Sequence, residues 1–139
     1  MKHQIILLGK DITSVYHGIK EFGPDHVHLL CTNETKEVAA PLFPLLPDSI
    51  RRTLYRTEPY DGEHVRNVCR KIHQTYPSAE FAYNLSEGTK VMAFAAFTIA
   101  KEYSVPAFYL SQLGELIRLD SFEKYPMQSQ LDNKEILGL

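Results

Sequence analysis

Two short segments of the sequence combine the residue types that bind phosphate. One is Gly9-Lys10-Asp11-Ile12-Thr13-Ser14, and the other is Asn84-Leu85-Ser86-Glu87-Gly88-Thr89-Lys90. Each segment offers a glycine that lets the backbone approach a ligand, hydroxyl groups that form hydrogen bonds, and a lysine that supplies positive charge. Each also leads into a predicted helix, whose free N–H groups and dipole favour an anion. The two segments predict a phosphate-binding site if the fold brings them side by side.

The second segment is the stronger candidate, although a purely structural interpretation has about equal weight. In that interpretation Ser86 and Thr89 cap the following helix, and Lys90 is solvated. Neither segment contains the phosphate-loop pattern G-x-x-x-x-G-K-[ST], and Gly9 stands alone rather than in a G-x-G-x-x-G pattern. NAD and FAD are therefore not expected, and we predict no cofactor.

The elements that position these segments follow from hydrophobic periodicity, since short apolar runs predict strands and helical spacing predicts helices. Strands are predicted at 3–8, 26–31, 50–57, 80–85 and 105–110, with a returning strand at 115–120. Helices are predicted at 13–22, 62–76 and 88–103. Thr13 or Ser14 is the expected cap of the first helix. A helix after Thr32 should be short or irregular because prolines follow at 41, 44 and 47.

This alternation predicts an α/β fold with a Rossmann-like, mostly parallel sheet and helices on both faces. Right-handed crossovers favour the strand order 3-2-1-4-5, with the returning strand antiparallel at the edge. The third strand is more polar and should lie near the other edge. The order reverses between strands 1 and 4, and ligands bind in the crevice at such a switch point. The loops after these two strands are the two phosphate-binding candidates.

Length and composition limit the class of protein. The 139 residues suit one domain, predicted over 1–120, followed by a polar tail at 121–139. The tail could pack on the body, cover a site or exchange with a partner chain. No apolar run approaches the roughly 20 residues of a membrane span. A net charge of −2 argues against a protein that binds duplex nucleic acid. Cys31 and Cys69 lack metal-ligand spacing and indicate reduced thiols in a cytoplasmic protein.

Other residues that could do chemistry are assigned structural roles. Asp25 and Glu34 match a nuclease pattern, but about nine extended residues separate them by roughly 30 Å, too far to share a metal. His26 and His28 share one face of a strand, yet the sequence marks no third ligand, so no metal is expected. Exposure on helices is predicted for His17, His64 and His73. Core packing is predicted for Cys69, Tyr83, Phe94 and Phe97.

The segment from Asn84 to Lys90, running on to Ala96, resembles the Asn-x-Thr/Ser-Gly-Gly-Thr-Lys segment of CARF domains, the CRISPR-associated Rossmann fold. The likeness covers about residues 3 to 120 and includes the first loop, the turn at 58–61 and the closing hairpin at 109–120. Glu87 departs from the family, which usually has glycine there. The resemblance implies a homodimer whose paired loops surround one cyclic oligoadenylate. Its contact is expected on the fourth helix and at Phe108, Leu110, Leu113 and Ile117.

The resemblance implies one of two functions. A ring nuclease would linearise the ligand, most readily cyclic tetra-adenylate, without a metal; the catalytic roles would fall to Lys90, Ser14, Thr13 and Ser86. Glu87 would accept a proton or merely repel phosphate. A sensor or sponge would bind the ring and leave it intact. Ligand binding would involve Gly9, Lys10, Asp11, Ile12, Asn84, Leu85, Glu87, Gly88 and Thr89. An unrelated nucleotide-binding Rossmann domain is the third interpretation that the residues allow.

Overall fold

A computed structural model describes residues 1–127 of the chain. They form one seven-stranded sheet in the order β3-β2-β1-β4-β5-β6-β7. The strands are β1 (Lys2–Leu7), β2 (His26–Cys31), β3 (Arg51–Arg56), β4 (Glu80–Asn84), β5 (Ala107–Leu110), β6 (Glu115–Arg118) and β7 (Lys124–Pro126). The helices are α1 (Ile12–Phe22), α2 (Ala39–Leu42), α3 (Gly62–Thr75) and α4 (Lys90–Glu102). β1 to β5 pair in parallel, and β6 returns antiparallel. The predicted α/β fold, its strand order and its antiparallel edge are confirmed.

β7 is an element that the sequence interpretation left inside the polar tail. It pairs with β6 in antiparallel register, with Tyr125 opposite Leu116. All three of its residues are exposed. It therefore lacks the apolar alternation that marks a half-buried strand, and periodicity could not find it. The remainder of the predicted tail, residues 128–139, lies outside the described residues.

Two apolar layers hold the sheet between its helices. On one face, Ile5 and Leu7 of β1 pack in a cluster with α3 and α4. On the other face, Ile6 and Leu8 pack in a cluster with α1 and α2. Alternate residues of β1 thus serve opposite layers, as the two-residue period of a strand requires. Because it is buried on both faces, β1 reads in the sequence as an unbroken apolar run.

The loop that precedes α1 is closed by a carboxylate that the sequence interpretation did not choose as the cap. Asp11, rather than Thr13 or Ser14, caps the helix, and its carboxylate accepts a hydrogen bond from the Thr13 N–H at 2.8 Å. After β2 the chain is irregular, as predicted. Short 3-10 turns at Lys36–Val38 and Phe43–Leu45 flank the four-residue α2, because proline cannot continue a regular helix.

Three burial predictions were wrong. His17 and His73 are buried, whereas Phe94 is 73% exposed. His73 lies on the buried face of α3 and shares a hydrogen bond of 2.8 Å with the Tyr83 hydroxyl. Tyr83 and Cys69 are in the core as predicted. Among the described residues, no helix combines the length and apolar character needed to cross a membrane.

Candidate functional site

The two predicted loops meet at the carboxyl ends of β1 and β4, and Asn84 fastens them together. This last residue of β4 is 1% exposed. Its Nδ2 donates to the carbonyl oxygen of Ser14 in α1 at 3.2 Å. Its Oδ1 accepts from the N–H of Ser86 at 3.1 Å and from the Ser86 hydroxyl at 2.6 Å. One buried amide therefore holds the β1–α1 and β4–α4 loops as a single surface, which we call the loop platform (residues 9–14 and 84–90).

Ser86 has a structural task within the loop platform. Its hydroxyl donates to Asn84 and accepts a hydrogen bond from the Leu110 N–H at 2.9 Å. The hydroxyl proton is already used, so only an acceptor lone pair is left for a ligand. Ser86 therefore ties the β4–α4 loop to β5, which accounts for a serine at this position without any catalytic role.

Gly88 and Thr89 shape the entry into α4. Gly88 has φ +87°, and a Cβ there would lie 3.0 Å from the Cβ of Leu7, so a side chain would be strained and crowded. Thr89 is the cap of α4, because its hydroxyl accepts from the Met92 N–H at 3.0 Å. The same hydroxyl donates to the Pro59 carbonyl oxygen. This contact brings the turn at 58–61 against the platform.

Lys90 stands at the start of α4 with an exposed side chain. Within residues 1–127 no ion pair engages it or Lys10, the lysine of the other loop. The first amides of a helix have no intrahelical acceptor, and the helix dipole is positive there. Lys90 and the first turn of α4 thus form the part of the platform best suited to an anion.

The side chain of Glu87 extends from the β4–α4 loop to the β1–α1 loop. Its Oε1 accepts from the Asp11 N–H at 3.4 Å, and a Cβ at position 9 would overlap its carboxylate. Gly9 is thus required by the close approach of this side chain. Burial raises the pKa of Glu87, with a smaller contribution from the neighbouring Asp11 carboxylate. Together the two carboxylates accept from the N–H groups of residues 11 and 13, so they occupy donors that a phosphate would otherwise use.

The Ser14 hydroxyl in α1 differs from those of Ser86 and Thr89 in the β4–α4 loop, which donate hydrogen bonds within the protein. Ser14 Oγ is buried and has no hydrogen-bond partner among residues 1–127. Thr13 is half-buried. A buried hydroxyl without a partner is costly, and a ligand would reach it only if the surrounding loop opened. Among the residues predicted to act on a ligand, Lys10 and Lys90 have no ion pair within residues 1–127.

An apolar cavity of about 430 Å³ opens beside the loop platform on the α4 and β5 side. Sequence reasoning assigned two of its aromatic residues, Phe94 and Phe97, to the core and did not single out Tyr109 and Phe122, because these residues lie on separate elements that only the fold brings together. Phe94 and Phe122 are each 73% exposed. The lining residues are Leu85, Ser86, Glu87, Gly88, Thr89, Lys90, Ala93, Phe94, Phe97, Tyr109, Leu119 and Phe122. An exposed apolar surface of this kind is typical of a protein contact rather than of a phosphate site.

The exposed apolar residues differ in part from those predicted to form the contact between two copies. Phe108 and Leu110 are each 6% exposed and pack with Ala82 in the core, so they cannot contribute to it. Leu113, in contrast, is 86% exposed. The alternation along β5 explains the difference, because its apolar residues face inward while Tyr109 between them is 40% exposed.

The sequence matches no protein-family model and no curated protein. Solved structures do match the fold. Can2 from Sulfobacillus thermosulfidooxidans, in complex with cyclic tetra-adenylate, aligns with a TM-score of 0.84 at 22% identity, over 97% of this chain and 40% of that one. Protein VC1899 from Vibrio cholerae aligns with a TM-score of 0.80 at 13% identity, over 94% and 37% of the two chains.

A type III CRISPR defence DNA nuclease activated by cyclic oligoadenylate aligns with a TM-score of 0.76 at 21% identity, over 97% of this chain and 22% of that one. The chain therefore spans less than half the length of each of these three proteins. At such identities the likeness establishes the fold alone, and it confirms the predicted Rossmann-like α/β fold.

Proposed function

We propose that this protein binds a cyclic oligoadenylate, most readily cyclic tetra-adenylate, on the loop platform. The observation that carries the proposal is the buried side chain of Asn84, which joins Ser14 of one loop to Ser86 of the loop that leads into α4. A helix N-terminus with an exposed lysine is suited to phosphate. The presence of cyclic tetra-adenylate in the Can2 structure, whose fold this chain shares, supports this choice of ligand.

We further propose a cytoplasmic homodimer in which two platforms face one ring. Within a single platform the charges of Lys10 and Lys90 are balanced by the carboxylates of Asp11 and Glu87, so the helix N-termini are left as the main attraction for several phosphates. A two-fold partner doubles the number of helix N-termini and lysines around the ligand. The apolar cavity beside α4 adjoins the platform and supplies the surface on which a second copy would pack. The unpaired thiols of Cys31 and Cys69 are consistent with a reducing compartment.

Light scattering should give the mass of a dimer in the absence of ligand. Phe94→Glu should shift that mass toward the monomer, because it places a charge in the apolar contact. Leu54→Glu is the matched control, since Leu54 is 43% exposed on β3, at the opposite edge of the sheet. A wild-type protein that stays monomeric with and without cyclic tetra-adenylate would contradict the shared site.

For the bound ring we propose metal-independent cleavage. A ribose 2′-hydroxyl loses its proton to solvent and its oxygen attacks the adjacent phosphorus, the bond from phosphorus to the 5′-oxygen breaks, and that oxygen takes up a proton from solvent. The products are a 2′,3′-cyclic phosphate and a 5′-hydroxyl. The protein supplies positioning and charge stabilisation. Lys90 would stabilise the charge that develops on the phosphate, and Ser14 and Thr13 would hold the phosphate or ribose.

A non-catalytic sensor or sponge is the second candidate, and the hydrogen bonds of the platform favour it. The hydroxyl protons of Ser86 and Thr89 are both donated within the protein, so neither is free for chemistry. The deciding experiment incubates labelled cyclic tetra-adenylate with excess protein in EDTA. Linear product supports the ring nuclease. Tight binding with an intact ring after hours selects the sensor, and absence of binding removes both.

Lys90→Ala should weaken binding of cyclic tetra-adenylate by about tenfold, since one charge-assisted contact to phosphate is lost from each chain. The fold should survive because the side chain is exposed. Lys101→Ala, in the last turn of α4, is the charge-matched control and should bind like wild type. Isothermal titration calorimetry measures both. Equal affinities for the two variants would remove Lys90 from the site.

A further inference from the structure

Three histidines come together at the amino-terminal ends of β1 and β2, opposite the loop platform. His3 and His26 are direct neighbours in the parallel register, and His28 follows two residues later on the same face. One ring nitrogen from each lies within 4.8 Å of the others. All three side chains are at least 97% buried. The sequence interpretation found no third ligand beside His26 and His28; the register of β1 supplies it.

Hydroxyl groups orient one nitrogen of two of these rings. His26 Nε2 lies 2.8 Å from Thr53 Oγ1, and His28 Nδ1 lies 2.8 Å from the Tyr55 hydroxyl. His26 Nδ1 has no partner among residues 1–127, whereas His28 Nε2 and His3 Nδ1 share a hydrogen bond of 2.9 Å that a metal ion would replace. Imidazoles that bind a metal have this arrangement, in which the non-ligating nitrogen is oriented by a hydrogen bond.

Each of the three rings can offer one nitrogen lone pair to a metal, and the three candidate ligand atoms lie within 4.8 Å of one another. A bound cation would also satisfy the unpartnered nitrogen of His26, which otherwise carries a desolvation cost.

We propose that His3, His26 and His28 supply three ligands to one structural Zn²⁺ ion, with a water molecule as the fourth ligand of the tetrahedron. Zinc prefers imidazole nitrogens at about 2.0–2.1 Å, which places ligand atoms about 3.3 Å apart in a tetrahedron. The His3–His28 separation of 2.9 Å is close to this, and ring rotation brings in His26. Tyr76, at the end of α3, packs 4.7 to 5.4 Å from all three ring centres and shields them.

The site is independent of the proposed ring cleavage. Six residues of extended chain separate His3 from Gly9, so the zinc would lie about 20 Å from the loop platform. It would join β1 to β2 and stabilise the fold. Chelation would therefore lower thermal stability without removing a group that touches the ligand.

The test uses the full chain without a purification tag, stripped with EDTA and then exchanged into chelator-free buffer. Equimolar Zn²⁺ should be retained through gel filtration at one ion per chain, and saturating Zn²⁺ should raise Tm by about 5 °C or more. His28→Gln should lose both effects. His64→Gln is the matched control, because His64 lies on α3 away from the trio, and it should retain both.

Because His28 is a core residue and its substitution also changes packing, Co²⁺ added to the stripped wild-type protein gives a second readout. Ligand-field absorption of tetrahedral intensity that saturates at one Co²⁺ per chain, and that Zn²⁺ displaces, supports the site. A wild-type protein that retains no zinc and shows an unchanged Tm with saturating Zn²⁺ overturns it; the trio is then a hydrogen-bonded cluster only. Ring binding in EDTA is scored separately, so either proposal can fail without the other.

Discussion

Glu87→Gln is expected to tighten binding of cyclic tetra-adenylate by about tenfold to a hundredfold. Like charges about 4 Å apart repel by roughly 4 kcal/mol at an effective dielectric of 20, and partial exposure of Glu87 reduces that figure. The Glu87 carboxylate accepts a hydrogen bond from the Asp11 N–H and contacts Gly9. A phosphate that approaches the β1–α1 loop must therefore displace or neutralise this carboxylate. Glutamine keeps the shape and removes the charge.

The pH dependence of affinity provides a second measurement of the same effect. Burial raises the pKa of Glu87, and a nearby phosphate raises it further because it disfavours the ionised form. Binding by wild type should therefore strengthen as pH falls from 8 toward 5. Glu87→Gln should show a flatter profile, whereas Glu80→Gln, at the opposite end of β4, should follow wild type. Identical profiles for all three proteins would show that Glu87 does not meet the ligand.

A catalytic Glu87 would give a different result. If its carboxylate accepts the proton of the ribose 2′-hydroxyl, Glu87→Gln should slow single-turnover cleavage by about a hundredfold or more while affinity holds or improves. We expect the single-turnover rate at which the bound ring is cleaved to stay unchanged. The observed hydrogen bond to the Asp11 N–H gives the side chain a structural partner and thus a reason to lie where it does.

Acidification from pH 7 to pH 4.5 is expected to cost wild type about 2 kcal/mol of stability more than it costs His73→Gln. Burial lowers the pKa of His73 to about 4, against the opposing influence of Glu102. His73 stacks on Tyr103 at 3.9 Å between ring centres, packs on Phe81 and bonds to the Tyr83 hydroxyl. These neutral neighbours offer the imidazolium no counter-charge, and Glu102 offsets only part of the cost of burial.

The direction follows from proton uptake. Between the folded pKa near 4 and the unfolded value near 6.5, the unfolded chain binds a proton at His73 that the folded chain does not. Stability therefore falls as pH falls through this window and is recovered above it. Urea unfolding at pH 7 and pH 4.5, in EDTA, should show a steeper loss for wild type than for His73→Gln. The other buried histidines are present in both proteins, so their contributions to the loss of stability largely cancel in the comparison. Equal losses would contradict the prediction.

The order of the sheet could be derived from the sequence because it depends on features that are local or nearly so. Apolar runs such as 3–8 mark strands buried on both faces, and the intervening helical spacing requires crossovers. Crossover handedness then leaves few orders, and the order reached places the loops after β1 and β4 together. The loop platform was therefore predictable at the level of segments. β7 was not, since its three exposed residues carry no apolar alternation.

The tertiary structure alone decided which atoms of those segments remain free. Ser86 and Thr89 read in the sequence as phosphate ligands, but their hydroxyl protons are donated to Asn84 and Pro59. Glu87 reads as a neighbour of Gly88, yet its carboxylate lies on the loop 76 residues earlier. Side-chain hydrogen bonds between distant segments depend on register and rotamer, which residue order does not specify.

The same limit applies to the histidines. Residue spacing placed His26 and His28 on one face of a strand, because the two-residue period is a local property. His3 joins them only through the pairing of β1 with β2, in which it lies opposite His26. His73 was predicted to be exposed on α3, but the buried face of that helix includes it because α3 packs over β4, where Phe81 and Tyr83 meet its ring. The amino-acid sequence by itself determined the strands and helices and their order along the chain. The pairing of strands and the packing of helices on the sheet decided which polar groups are buried together.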